Sequence, residues 1–213
     1  MDAQNPLQHW QGTYQAKTEQ EVSWHQELPE PSLAMVSAVA TPAAAIIDIG
    51  GGASRLVDHL MQRGFADLSV LDLSSAALTK AQARLGAQAA AVNWIAADIT
   101  TWTPSRRYDV WHDRATFHFM VSDDDRAAYL DRLRWALAPD GHAVIATFAL
   151  DGPEKCSGLP VMRYDPAGLA RALGGEFTLV TSVHRLHHTA WRAVQAFQFS
   201  VFRRSPPDDP ERP

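Results

Sequence analysis

The chain has 213 residues, 46% of them hydrophobic and 20% charged, enough for one substantial core and cramped for a second. A formal net charge of -5 and a pI near 6.0 supply no basic field of the kind non-specific phosphate binding needs, which speaks against nucleic acid as a partner. One cysteine, Cys156, leaves no internal disulfide and no cysteine-based metal site.

Met1 to Gln11 is polar and lacks the pattern of a secretory signal, and no apolar run approaches the roughly 20 residues of a membrane span. The expectation is a cytoplasmic protein with no membrane contact. Residues 1–42 read as helical segments bearing aromatics at Trp10, Tyr14 and Trp24.

From Ala43 to Phe148, short apolar strands alternate with amphipathic helices, the pattern of a parallel sheet covered on both faces. The first strand, Ala45 to Ile49, runs into the turn Asp48-Ile49-Gly50-Gly51-Gly52-Ala53-Ser54. A helix then presents Leu56, Val57, Leu60 and Met61 on one face, and Gly64 stands where a C-terminal cap belongs. Leu68 to Leu71 form a second strand, followed by a helix opened by Ser74 and stopped at Gly86. Val92 to Ala96 and Tyr108 to Trp111 are the third and fourth strands. Ser122 caps the next helix, whose acidic first turn Asp123-Asp124-Asp125 suits the dipole, and Pro139-Asp140-Gly141 ends it.

His142 to Phe148 give a fifth strand, and a loop from Ala149 to Arg163 leads to Asp165-Pro166, a cap with a first-turn proline. After a helix to Leu173 the pattern changes. Phe177 to Val183 and Val194 to Phe202 read as two strands without an intervening helix, so they should pair as an antiparallel hairpin. The fold class is therefore α/β, a doubly wound Rossmann-like and mostly parallel seven-stranded sheet with a C-terminal antiparallel hairpin, spanning 43–204. Residues 205–213, rich in proline and charge, read as a disordered tail.

Placed after the first strand, the three glycines allow a sharp turn and a close backbone approach to a ligand, but by themselves they suit a dinucleotide equally well. Asp72 stands at the end of the second strand, 24 positions beyond Asp48, where a carboxylate can accept from both ribose hydroxyls. Asp98 ends the third strand in Ala96-Ala97-Asp98-Ile99, placed for an adenine amino group with Ile99 beside the ring. Open parallel sheets bind ligands outside these strand ends, so Asp48, Asp72 and Asp98 should converge on one cleft.

Over about Ala43 to Arg203, these motifs and the terminal hairpin resemble the class I S-adenosylmethionine-dependent methyltransferase superfamily. The resemblance implies S-adenosylmethionine as cofactor, with Gly50, Gly51 and Gly52 near its amino-acid end, Asp72 followed by Leu73 at the ribose, and Ala97, Asp98 and Ile99 at the adenine. Ser54 replaces a glycine frequent in the superfamily. Gly-x-Gly-x-Ser followed by Arg55-Leu56 is similar to the methyltransferases of elongation-factor lysines and related bacterial proteins, as are Trp10-x-x-x-Tyr14 and Glu21-Val22-Ser23-Trp24. That likeness implies lid roles for Trp10, Tyr14 and Trp24 over the cofactor; the competing reading makes them anchors of a helix on the core.

For the acceptor, the segment Tyr108 to Phe119 is dense in titratable groups at the same strand ends. His112 or His118 could serve as general base, since histidine titrates near neutral pH, and Asp113 could orient an imidazole, hold an amine or pair with Arg114. The same Asp-Arg pair resembles thiol and thiopurine methyltransferases, whose acceptors are soft nucleophiles. An Asn/Asp-Pro-Pro-Tyr/Phe motif is missing after the fourth strand, which discounts exocyclic and amide nitrogens. The loop from Ala149 to Arg163 and the hairpin residues His187, His188 and Trp191 are placed to cover the acceptor. Cys156 reads as a small apolar residue, and the His184, His187 and His188 group as a solvated tip with no metal expected. The leading function is methyl transfer to a small molecule. Its competitors are a protein-lysine methyltransferase, a nicotinamide-dependent oxidoreductase and a silent cofactor-binding module. No spacing bears on oligomeric state.

Overall fold

The computed structural model describes residues 5–205. Helix α1 (Pro6–Ala16) opens on Asn5, whose side chain accepts from the Leu7 amide, with Pro6 preset for the first turn. Helix α2 (Ser32–Val39) follows. The central domain then alternates β1 (Ala45–Ile49), α3 (Leu56–Gln62), β2 (Asp67–Asp72), α4 (Ser75–Leu85), β3 (Val92–Ala96), β4 (Tyr108–Arg114), α5 (Asp123–Ala136) and β5 (Leu137–Phe148). Two short strands, β6 (Lys155–Cys156) and β7 (Leu159–Pro160), precede α6 (Pro166–Leu173), and β8 (Phe177–His188) and β9 (Val194–Arg204) complete the fold.

Seven strands form one sheet in the order β3-β2-β1-β4-β5-β9-β8. The first five pair in parallel, while β9 runs antiparallel to both β5 and β8. Side chains alternate across each strand, so neighbours go to opposite cores. Ile46 packs with Leu33, Leu56 and Leu60 under α2 and α3, whereas Ile47 packs with Trp111, Tyr129 and Leu133 under α5. Every residue of β1 is buried, as expected for a parallel strand with both faces covered.

The expected caps are present: Ser74, Ser122 and Asp165 each accept an amide from the first turn of α4, α5 and α6. Several boundaries move. Helix α5 stops at Ala136, and Leu137 is already extended and paired with Tyr108, five residues before the expected start of the strand at His142. Pro139 explains this, because the residue before a proline avoids the helical region and the proline itself has no amide to donate. The terminal strands run on to His188 and Arg204 because pairing continues along the whole hairpin. The segment between Ala149 and Arg163 holds the β6–β7 ladder rather than an irregular loop.

No helix among the described residues is long and apolar enough to cross a membrane. The expected tail falls on 206–213, outside the described residues.

Candidate active site

Strand β1 ends in a turn that only glycine can make. Gly50 has φ of 67°, and a Cβ on it would fall 1.9 Å from Thr116 Oγ1. A Cβ on Gly52 would meet Asp72 Oδ2 at 2.5 Å. The backbone thus lies directly against the Asp72 carboxylate. Ser54 Oγ accepts from the Leu56 amide at 3.1 Å at the start of α3, a bond that a glycine there could not make.

In front of these strand ends lies a cavity of about 330 Å³. Gly50, Asp72 and Leu73 line one side, with Ala97, Asp98 and Ile99 beyond them. Trp10, Tyr14 and Trp24 form the wall from the amino-terminal segment. Their rings meet edge to face, Trp10 to Trp24 at 5.6 Å and Tyr14 to Trp24 at 5.9 Å, and Trp10 continues onto Phe119 at 5.2 Å. They line the cavity and anchor α1 at once. Polar ties hold the segment down: Gln11 Oε1 accepts from Ser74 Oγ at 2.9 Å, and Arg84 joins Glu19, Asp58 and the Ser54 carbonyl.

Asp72 is 6% exposed. Burial pushes its carboxyl up to about 7, the nearby Asp48 adds to the rise, and the Ser74 and Gly52 amides pull against it. Burial also drives the Tyr14 phenol well above its ordinary value, with Asp72 contributing. Asp98 is half-buried and accepts from the Thr100 amide at 2.8 Å and hydroxyl at 2.7 Å.

The remaining sequence candidates sit behind this surface. Asp48 Oδ1 accepts from His112 Nδ1 at 2.6 Å, which leaves His112 Nε2 to accept from Ser32 Oγ at 2.8 Å. All three are buried, and the chain of bonds ties α2 to β1 and β4. Gly51 packs against that same Asp48 carboxylate. Asp113 does not pair with Arg114. It accepts from Tyr129 Oη at 2.6 Å and from the Thr116 and Phe117 amides at 2.8 and 2.9 Å, supporting the single 3-10 turn at Phe117–Phe119. Burial lifts it to about 6 despite these bonds.

His118 is wholly buried; burial and the neighbouring Arg114 lower it to about 3. Its Nδ1 accepts from the Phe148 amide at 3.4 Å. None of His112, Asp113 and His118 lines the cavity. Sequence spacing brought them to the correct strand end, but pleating turns Asp113 toward Tyr129, Asp48 and Ser32 take up His112, and the turn after β4 buries His118.

His112→Asn is therefore expected to melt a few degrees lower, because Ser32 loses its partner at a cost of about 1 to 2 kcal/mol, while turnover survives. Thermal melts and a methyl-transfer assay on the variant check this. A hundredfold loss of turnover with unchanged melting would return a chemical role to His112.

The half of the cavity away from Asp72 and Asp98 was largely missed. Arg114 at the end of β4, Phe119 and Met120 beyond it, Cys156, Leu159 and Pro160 from the β6–β7 segment, and Gln195 and Phe197 on β9 line it. The long segment does cover the cavity, as expected from its length. The hairpin contributes through Gln195 and Phe197 and not through His187, His188 or Trp191. His187 instead donates to the Ser23 carbonyl at 2.6 Å, holding the amino-terminal segment. His184 meets Asp151 at 3.1 Å on the surface, and no cluster of metal-ligating side chains occurs among the described residues. Cys156 is buried and its thiol is pushed up to about 12, in keeping with its reading as an apolar filler.

A family model described as a methyltransferase domain matches residues 46–141. No curated protein sequence matches the chain. Among solved structures, one described as the conversion of a disulfide bond into a thioacetal group during echinomycin biosynthesis superposes with a TM-score of 0.75 at 18% identity, covering 94% of this chain and 92% of that one. A methyltransferase from Anabaena variabilis gives 0.72 at 14% identity, over 94% and 95%. The Burkholderia thailandensis 1,6-didemethyltoxoflavin N1-methyltransferase gives 0.67 at 21%, over 83% and 78%. Residues 46–141 thus match a methyltransferase domain, and the glycine turn and the sheet order give the chain the Rossmann-like fold of the class I S-adenosylmethionine-dependent methyltransferases.

Proposed function

We propose that the protein transfers a methyl group from S-adenosylmethionine to a small molecule, with the segment up to residue 42 as a lid over the domain that ends near residue 204. One observation carries this reading. A single cavity runs from the carboxylates of Asp72 and Asp98 to an apolar chamber at Phe119, Leu159 and Phe197, and its volume of about 330 Å³ falls in the range of small-ligand pockets.

The residues present fit the cofactor. Asp72 offers carboxylate oxygens beside a backbone with no side chain in the way, and Ile99 gives an apolar wall next to Asp98. Trp10 and Trp24 add apolar wall that would keep water from a bound cofactor. When bound, the cofactor supplies an activated methyl on a sulfonium. This chain's part is to hold the acceptor in line with that methyl and keep it dry, which by itself accounts for a large share of the rate. No histidine among the described residues lines the cavity, so the acceptor is expected to arrive as a competent nucleophile. The solved 1,6-didemethyltoxoflavin N1-methyltransferase contains its small-molecule substrate together with S-adenosylhomocysteine, which supports the same arrangement here.

Calorimetry should detect adenosylhomocysteine binding and no binding of NAD. Labelled S-adenosylmethionine incubated with cell extract should place label in the small-molecule fraction. Label confined to protein would overturn the small-molecule reading in favour of a lysine acceptor, and NAD binding without adenosylhomocysteine would overturn the cofactor.

A further inference from the structure

Among the described residues that line the cavity, Arg114 is the one cation, and its guanidinium lies over the Phe197 ring at 5.1 Å, beside Cys156. Nη1 donates to the Trp24 carbonyl at 2.8 Å. Nε and Nη2 are closed off from solvent and have no hydrogen-bond partner among the described residues. Nor does Arg114 form an ion pair there; the Asp48 carboxylate is near enough to be felt but is engaged by His112, and the Cys156 thiol is uncharged.

A buried guanidinium without an anion is costly, and burial lowers even this strong base to about 10. The two idle donors are not a random pair. Nε and Nη2 form the side-on edge of the guanidinium, the edge that receives both oxygens of a carboxylate in parallel bonds. Position favours a ligand on the acceptor side. Arg114 ends β4, and its guanidinium leans across β5 onto β9, away from Asp72 on β2 and Asp98 beyond β3.

We propose that the methyl acceptor is an anionic small molecule whose carboxylate docks side-on against Nε and Nη2 of Arg114, its apolar body lying among Phe119, Leu159 and Phe197. This rests on the small-molecule methyltransferase reading. It makes Arg114 the residue that selects the substrate class, and it gives the buried guanidinium the direct anionic partner that no described ion pair supplies.

The test compares matched acids and amides, phenylacetate with phenylacetamide and indole-3-acetate with indole-3-acetamide, titrated by tryptophan fluorescence at saturating adenosylhomocysteine. In the wild type an acid should bind about 10- to 100-fold more tightly than its amide, the range expected for charge-assisted hydrogen bonds. Arg114→Gln should abolish that preference and leave the adenosylhomocysteine Kd within about twofold. Arg114→Lys, which keeps the charge but not the fork, should retain part of it and serves as the second variant if Arg114→Gln fails to fold.

Equal binding of acid and amide, or no saturable binding of either acid, overturns the proposal. So does a tenfold loss of adenosylhomocysteine affinity in Arg114→Gln, which would assign the fork to the cofactor's own carboxylate. Failure of the wild type to bind adenosylhomocysteine is a separate result that removes the methyltransferase reading; the acid and amide comparison without nucleotide then still reads Arg114 alone.

Discussion

Asp72→Asn is expected to weaken adenosylhomocysteine binding about 10- to 100-fold and yet to raise the melting temperature of the ligand-free protein at pH 8. The binding loss follows from replacing a carboxylate that can accept from two hydroxyls by an amide with one acceptor oxygen. The gain in stability follows from its burial. The folded protein keeps the Asp72 proton up to about 7, whereas an unfolded chain releases it near 3.8. Between those values the folded state binds more protons, so the contribution of Asp72 to stability falls as pH rises from about 4 and is fully unfavourable above about 7. Asparagine carries no such proton. The gap in melting temperature between variant and wild type should therefore open through that window and reach several degrees, equivalent to a few kcal/mol. Melts at half-unit steps from pH 4.5 to 8.5 measure it. A gap that does not widen with pH would show that Asp72 is already ionised in the empty cleft.

Asp113→Ala has the largest expected effect on folding, a loss of about 3 to 5 kcal/mol and roughly 10 °C in melting temperature. Asp113 is fully buried and serves three donors at once, Tyr129 Oη and the Thr116 and Phe117 amides, and Tyr129 Oη in turn accepts from Trp111 Nε1 at 2.8 Å. Alanine would strand all of them inside the core. Asp113→Asn retains an acceptor oxygen and should lose less than half as much. Because burial raises Asp113 to about 6, its own pH window runs from about 4 to 6, in the same direction as that of Asp72. If Asp113→Ala melted with the wild type but lost turnover, the carboxylate would be acting on a ligand and not on its neighbours.

Both predictions concern aspartates at strand ends, and the contrast between them marks how far the chain could be read in advance. Asp72 and Asp98 follow apolar strands that open onto a helix or turn, so a linear reading places them at the mouth of the cleft. Asp113 occupies the equivalent place on β4, but the chain turns back there through Ala115, at φ of 74°, and the carboxylate is taken up by the backbone of its own turn. That turn contains neither glycine nor proline, and nothing in its residue types announces it. His112 was hidden for a different reason. Its partners Asp48 and Ser32 lie 64 and 80 positions away, and they meet only because β1 and β4 are adjacent in the sheet while α2 packs across them.

The opening composition, the alternation of strands and helices and the glycine turn determined the fold class, the binding end of the sheet and the two acids that face it, because each depends on local periodicity and on what a backbone without Cβ can do. Which side chains face the acceptor was decided by tertiary structure alone. Arg114 meets Phe197, 83 positions on, only through the antiparallel insertion of β9 beside β5; pleating turns Asp113 to the opposite face of β4, while His112, on the face of Arg114, is taken up by Asp48 and Ser32, and His118 is buried by the turn beyond.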